Sequence, residues 1–288
     1  MQIEKMKHLS AYNLEVSPMT LADVPKLHEL SVSVSWPHRA EDWAMLIAQG
    51  DGIVARDEIG RVVGSAMWFA LKPGYASIGM VITSPRLQAH GTGRWLMEHV
   101  LQQIDGAACV LNATRAAIRL YISLGFLPIA SVYQHNGVVV KVPEGPASSR
   151  LMVDTDRAAI LALDHEATGM DRAGLVNALI GVSKGTVIER SGQIQGFALC
   201  RRFGRGHVVG PVVAENEEDA IALVRPHVIA HQDEFLRLDT RQEKGPLRSF
   251  LQEAGLVHYD TVMRMRLGEL PAEAGAVRTI GLASQALG

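Results

Sequence analysis

Two periodicities divide the chain. Residues 78–83 form an apolar, β-branched run bounded by Gly74 on one side and Ser84-Pro85 on the other, which predicts a buried strand. Beyond it Leu96, Met97, Val100, Leu101 and Ile104 recur at helical spacing, leaving Arg94, Glu98, His99, Gln102 and Gln103 on the polar face. The stretch 88–93 is therefore a strand-to-helix loop. Upstream, Leu21, Val24, Leu27 and Leu30 share one face of a helix over 19–31, with Thr20 as N-cap and Pro25 in an early turn that tolerates it. A second helix spans 40–49 and is closed by Gly50. Runs over 52–56 and 61–71 flank a turn at Asp57-Glu58-Ile59-Gly60 and predict a β-hairpin. Downstream, Leu111-Asn112-Ala113 ends a strand, 116–124 reads as a short helix, and Gly125 stops it. Residues 129–142 add strand character, broken by a hairpin signal at His135-Asn136-Gly137.

The pattern then repeats. A Pro-, Gly- and Ser-rich stretch, 143–150, reads as a linker between a first domain, 1–142, and a second, 151–288. A helix over 156–165 parallels the one over 19–31, 187–198 echoes 54–66, and Val209-Gly210-Pro211-Val212-Val213 falls where the strand at 78–82 would be. The copy departs from the original after that strand. Glu215, Glu217, Glu218 and Asp219 precede the next helix in place of a glycine-rich turn, and they suit a helix dipole while repelling a phosphate. The tail 271–288 matches no element of the first half.

Hydrophobic residues make up 48% of the 288 and charged ones 20%, enough for a large core or two ordinary ones. A formal net charge of -2, with no lysine-arginine block, excludes a dedicated nucleic-acid binder. Only Cys109 and Cys200 occur, so no disulfide framework is expected and a reducing cytoplasm is the simplest setting. No signal-peptide core or run of membrane-spanning length is present, which leaves no membrane partner expected. Neither Cys-x-x-Cys nor His-Glu-x-x-His spacing appears, so no metal is expected.

The chemistry concentrates at the loop. Gly91 and Gly93 let the backbone turn tightly and approach a bound group, and the helix that follows presents unpaired amides at the positive end of its dipole. Such a loop favours a pyrophosphate, yet it is neither the dinucleotide fingerprint nor the Walker loop. Gln88-x-x-Gly91-x-Gly93 resembles the Arg/Gln-x-x-Gly-x-Gly/Ala motif of the GNAT superfamily of acetyltransferases, and Tyr121, Leu124, Gly125 and Phe126 resemble its Tyr-x-x-Leu-Gly-Phe hallmark. The whole chain looks like the tandem bacterial proteins in which an acetyltransferase domain precedes a diverged GNAT-like one. The resemblance implies two tandem α/β domains, each with a mixed, mostly antiparallel central sheet flanked by helices. It also implies direct transfer of an acetyl group from acetyl-coenzyme A to an amine, here expected to be a small molecule.

On that resemblance Gln88, Ala89, His90, Gly91, Thr92, Gly93 and Arg94 hold the donor's pyrophosphate. Met80, Val81, Ile82 and Thr83 carry the pantetheine along a splayed strand, with Asn112 nearby. Tyr121 is the expected general acid toward the departing thiolate, since an ordinary tyrosine pKa of about 10 keeps it protonated. The region between the first two helices borders the acceptor in this superfamily, so Trp36 and Trp43 are candidate acceptor contacts, with core anchoring as the alternative. The strand 75–83 has no carboxylate to serve as base. His38 is the first candidate on chemical grounds, with Asp171 and His207 behind it, although for any one of the 11 histidines a noncatalytic role is the stronger prior. Transfer of another acyl group, or binding of acyl-coenzyme A without turnover, remain the alternatives, and the duplicated half offers a surface for a homodimer.

Overall fold

The computed structural model describes residues 4–9, 12–71, 74–88, 90–271 and 275–288. In the first half the order is β1 (Met6–Leu9), β2 (Tyr12–Pro18), α1 (Val24–Ser33), α2 (Ala40–Gln49), β3 (Asp51–Arg56), β4 (Val62–Leu71), β5 (Tyr75–Thr83), α3 (Thr92–Gln103), β6 (Ala108–Ala113), α4 (Ile118–Ser123) and β7 (Leu127–Val138). The second half repeats it as β8 (Ser149–Leu151), α5 (Arg157–Thr168), α6 (Ala173–Val182), β9 (Lys184–Arg190), β10 (Gln193–Phe203), β11 (Gly206–Ala214), α7 (Glu217–Ala230), β12 (Phe235–Thr240), α8 (Pro246–Glu253) and β13 (Val257–Leu267), then adds β14 (Arg278–Gly281). The helix at 20–33 opens with a single 3-10 turn, Leu21–Asp23, because Asp23 folds back on the Thr20 amide and Pro25 enters at the start of α1.

All the strands belong to one sheet, in the order β1-β2-β3-β4-β5-β6-β13-β7-β12-β14-β11-β10-β9-β8. Its pairings are antiparallel except for β5 with β6 and β11 with β12. The two halves exchange strands. β13 of the second half lies between β6 and β7, and β7 of the first lies between β13 and β12.

This exchange corrects the expected hairpin at His135-Asn136-Gly137. β7 runs straight through it, because Asn136 and Gly137 pair with Arg237 and Leu236 of β12, and Asn136 pairs with Val257 of β13 on the other side. Gly137 serves close packing instead of a turn. A Cβ there would stand 2.2 Å from the carbonyl oxygen of Gly255. The expected linker is also shorter than 143–150, since Ser149 and Arg150 enter β8 and pair with Ile188 and Val187.

Three large apolar cores follow from this arrangement, beside a small cluster of Val132, Val262 and Leu282. α3 and α4 bury Leu96, Met97, Val100 and Tyr121 on one side of the first half. α7 and α8 do the same for the second with Ile221, Leu223, Val224, Phe250 and Leu251. The third core is shared. Leu27, Leu30, Trp43 and Leu46 of α1 and α2 join Ile160, Val176 and Leu179 of α5 and α6, and Ala286 and Leu287 of the tail complete it. The two halves are thus joined both through the sheet and through a common core.

Candidate active site

β5 and β6 run parallel from Tyr75↔Ala108 to Ile78↔Leu111 and then separate. From Gly79 to Thr83 the backbone of β5 therefore faces no strand on that side, over about 13 Å at ordinary strand rise. The separation coincides with a bulge. Ser65 pairs with Ile82 and Met67 with Gly79, so Met80 and Val81 both oppose Ala66, and Met80 is held at φ +52°. Ser65 Oγ donates to the Met80 carbonyl at 2.8 Å and fixes the bulge.

At the far end of the open stretch stands the glycine loop. Gly91 takes φ +73° as it leads into the twelve-residue α3, whose N-terminus no side chain caps. Gly93 allows α3 to approach α4, since a Cβ there would lie 3.2 Å from Leu120 Cδ2. His90 Nδ1 lies 2.9 Å from the Gln88 carbonyl, and Gln88 Nε2 donates to Thr83 O at 3.4 Å. Arg94 is tied to α4 through Ser123 Oγ at 2.6 Å. Ala89 lies outside the described residues. Sequence reading missed Lys7, which the β1–β2 hairpin carries over the loop, its ammonium 3.5 Å from where a Gly91 Cβ would be.

At the other end the open stretch meets a cavity of about 310 Å³. Six of the expected residues line it: Met80, Val81, Asn112, Tyr121, Trp36 and His38. Tyr121 projects from α4, whose end at Gly125 (φ +90°) folds Phe126 back so that the two rings meet edge to face at 5.7 Å. Burial pushes the Tyr121 hydroxyl well above the ordinary tyrosine range, and it makes no hydrogen bond among the described residues. Asn112 Nδ2 donates to Gln285 O at 2.8 Å, while its buried Oδ1 has no partner among the described residues. Ile82 is buried and, with Thr83 and the loop, lies outside the cavity lining.

Two residues expected at the acceptor end have distinct surroundings. Trp43 is fully buried, with Nε1 3.3 Å from Ser31 Oγ, and is a core residue outside the cavity lining. His38 lines the cavity between Trp36, Trp43 and Phe203, but burial, together with the Arg237 charge, lowers its pKa to about 4 against the opposing pull of Asp42. A neutral imidazole of that basicity accepts a hydrogen bond and is a weak base toward an alkylammonium.

The remaining wall comes from the second half, where sequence reading had named only Asp171 and His207, as weaker base candidates, and neither lines the cavity. Phe203, Gly204 and Arg205 of the β10–β11 turn, Phe235 and Arg237 of β12, and Tyr259 and Asp260 of β13 line it, with Ser284, Gln285 and Ala286 of the tail. Gly204 N donates to Asp42 Oδ2 at 2.9 Å, pinning the turn to α2. Arg237 is oriented by the fully buried Asp239 at 2.7 Å. Tyr259 is a bulged residue: His258 pairs with His135 and Asp260 with Gln134, which turns Asp260 toward the cavity rim. Among the described residues it is the one carboxylate in the lining. Gln285 Nε2 donates to Gln134 Oε1 at 3.2 Å, and Ser77 Oγ to Ala286 O at 2.9 Å.

The corresponding cleft in the second half is filled. β11 and β12 pair in parallel only at His207↔Leu236 and Val208↔Arg237, and β14 enters the gap, with Val213↔Thr279 and Ala214↔Arg278 on one side and Thr240↔Gly281 on the other. The start of α7 is capped by Asn216, whose side chain accepts from the Asp219 amide at 2.9 Å.

A parallel strand pair that opens beside a helix-capping glycine loop, followed along the chain by a second parallel pair whose gap is filled, defines an α/β fold with one open cleft. Comparison with known proteins makes this specific. Two family descriptions, both of an acetyltransferase (GNAT) domain, match residues 48–128 and residues 160–277. An N-acetyltransferase of Bacillus subtilis (strain 168), YitH, described as uncharacterized, is 27% identical over 276 residues, spanning 91% of this chain and 97% of its own. A candidate acetyltransferase from Pyrococcus horikoshii superposes with TM-score 0.80 over 100% of this chain and 99% of its own, at 16% identity. A tandem GNAT protein from the clavulanic acid biosynthesis pathway does so with TM-score 0.63 over 90% and 99%, at 15% identity. The chain belongs to the GNAT acetyltransferases, with two GNAT domains in tandem, and is an N-acetyltransferase. That membership implies an acyl-coenzyme A donor. Among the described residues, no helix is long and apolar enough to cross a membrane.

Proposed function

We propose that this protein transfers the acetyl group of acetyl-coenzyme A to the amine of a small molecule, with the donor held by residues 1–142 and the acceptor enclosed between them and residues 151–288. One observation carries this reading: of two equivalent clefts, that between β5 and β6 is open beside a glycine loop, and that between β11 and β12 is filled by β14. The pyrophosphate rests on the amides after Gly91, with the Lys7 ammonium beside it. The pantetheine satisfies the unpaired backbone of β5 and meets Asn112.

The amine nitrogen attacks the thioester carbonyl, and the oxyanion that forms is stabilised by the amide of Val81 at the bulge. Tyr121 then donates its proton to the departing thiolate. An alkylamine enters as its ammonium, which Asp260 at the rim attracts while water removes the proton. His38, Trp36 and Phe203 form an aromatic wall that keeps the acceptor dry and oriented.

Calorimetric titration of the full chain with acetyl-coenzyme A should give a single site that Gly91→Glu abolishes. Two sites would contradict the filled second cleft, and none would remove the donor assignment. In amine-screening kinetics Asp260→Asn should raise the acceptor KM roughly twofold to fivefold, as loss of an exposed charge partner does, and leave donor affinity unchanged. An unaltered KM excludes Asp260 from the acceptor site.

A further inference from the structure

Behind the acceptor wall contributed by the second half, three potential ligands converge. His207 opens β11, His231 follows α7, and Glu234 immediately precedes β12. One donor atom from each lies within 4.8 Å of the others. The two imidazole centroids are 4.1 Å apart. His207 Nδ1 is buried without a hydrogen bond among the described residues, yet stands 3.4 Å from Glu234 Oε2. That spacing has a physical meaning. Two ligands of a tetrahedral ion bound at about 2.1 Å are separated by an edge of about 3.4 Å. His231 Nδ1 lies 2.7 Å from the His227 carbonyl, so its proton is held there and Nε2 carries the free lone pair. Metal-binding histidines are oriented in this way by a partner on the other ring nitrogen.

We propose that His207, His231 and Glu234 bind one divalent transition ion of the zinc class, with an open coordination position left to water. Two imidazoles and one carboxylate suit zinc or cobalt, whereas calcium and magnesium prefer oxygen donors. The ion staples three elements of the second half: β11, the end of α7 and the entry to β12. These carry the acceptor wall, since Arg205 and Phe235 are two residues and one residue away from ligands. The backbones are already in contact there, for a Cβ on Gly206 would lie 2.2 Å from Phe235 O. The role is positioning: the ion holds the β10–β11 turn against β12 and touches no reacting atom.

The test uses the full chain, stripped with chelator, dialysed against Zn²⁺ and assayed for metal by mass spectrometry. About one ion per chain is expected, and Co²⁺ should produce the intense visible bands of a four-coordinate site. His207→Ala, His231→Ala and Glu234→Gln should each lose both signals while retaining wild-type circular dichroism. His8→Ala and His165→Ala, at surface histidines elsewhere, should retain them. Stoichiometry in the His207→Ala/His231→Ala double variant equal to that of the unaltered chain would overturn the proposal, as would no retained metal in either. A binding chain should also show a lower acceptor KM with Zn²⁺ than without it, at unchanged acetyl-coenzyme A affinity.

Discussion

Arg172 joins a helix pair to the tail, and removing it separates stability from acceptor binding. Its Nε and Nη2 hold Asp164 at 2.7 and 2.8 Å, with both side chains almost fully buried. Its Nη1 donates to the carbonyls of Leu287 and Gly288, each at 3.2 Å. Arg172→Met keeps the bulk and leaves Asp164 a buried carboxylate without its ion-pair partner. Breaking such a pair costs about 3–5 kcal/mol. Against a typical stability of about 5–15 kcal/mol, that is a large fraction of the total. Adding Asp164→Leu removes the stranded charge, and the double variant should regain most of the loss, because apolar replacements of a buried pair are often neutral. The anchor on the tail is not regained. Residues 284–286 then loosen at the cavity, and loss of two hydrogen bonds from a charged donor, worth about 1–2 kcal/mol net, predicts a roughly fivefold to thirtyfold rise in acceptor KM. Urea unfolding and steady-state kinetics check the two parts separately. A single variant destabilised by less than about 1 kcal/mol would refute the buried-pair argument. A double variant with the original acceptor KM would refute the role given to the tail.

Tyr121→Phe should lower kcat by about 10²–10⁴ at unchanged acetyl-coenzyme A affinity. Its stability should hardly change, since the hydroxyl makes no hydrogen bond among the described residues and the edge contact with Phe126 survives; an unchanged kcat removes Tyr121 as the acid. His38 sets a pH dependence of stability. The unfolded imidazole protonates as the pH falls through about 6.5, while burial and Arg237, opposed by Asp42, delay the folded one to about 4. Stability is therefore full above pH 6.5 and declines as the pH falls toward 4, and His38→Phe, measured by urea unfolding across that window, should flatten the decline.

What could be read from the sequence was what is local. The loop from Gln88 to Arg94 and the run from Tyr121 to Phe126 each lie within a few residues, so their helix boundaries show in the order of residues alone. Trp36 and Trp43 looked equivalent because both are aromatic and near the same loop. Only the direction of α2, which turns Trp43 onto Ser31, separates them. The strand exchange left no local mark. β7 and β13 each look like the last strand of their own half, and which neighbour they take is decided by pairing across about a hundred residues or more. The tail was illegible for a different reason. Ala283, Ser284, Ala286 and Gly288 carry little periodic signal, and their place is set by the space available: a Cβ on Gly79 would stand 2.6 Å from Ala286 Cβ. His207, His231 and Glu234 likewise meet only after β11 and β12 are aligned.

The filled cleft explains why the second half persists without a donor loop. Where two parallel strands diverge inside a protein, their inner amides and carbonyls lose partners, and each buried orphan costs about 1–3 kcal/mol. In the first half a bound donor can satisfy those groups. In the second, Glu217, Glu218 and Asp219 crowd the start of α7 and disfavour an anion, so the chain supplies its own occupant: Thr240 Oγ1 donates to Ile280 O at 2.7 Å, and Leu282 N to Asp239 O at 2.8 Å. Once β14 is seated, the residues after it have one direction to take, and they reach Gly79 and Asn112 of the first half. The filling of one cleft thereby builds part of the wall of the cavity beside the other. The sheet of residues 1–142 is likewise incomplete alone: without β13, β6 and β7 have no strand between them, so a fragment ending there should unfold at lower urea than the full chain, and an equal midpoint would refute this.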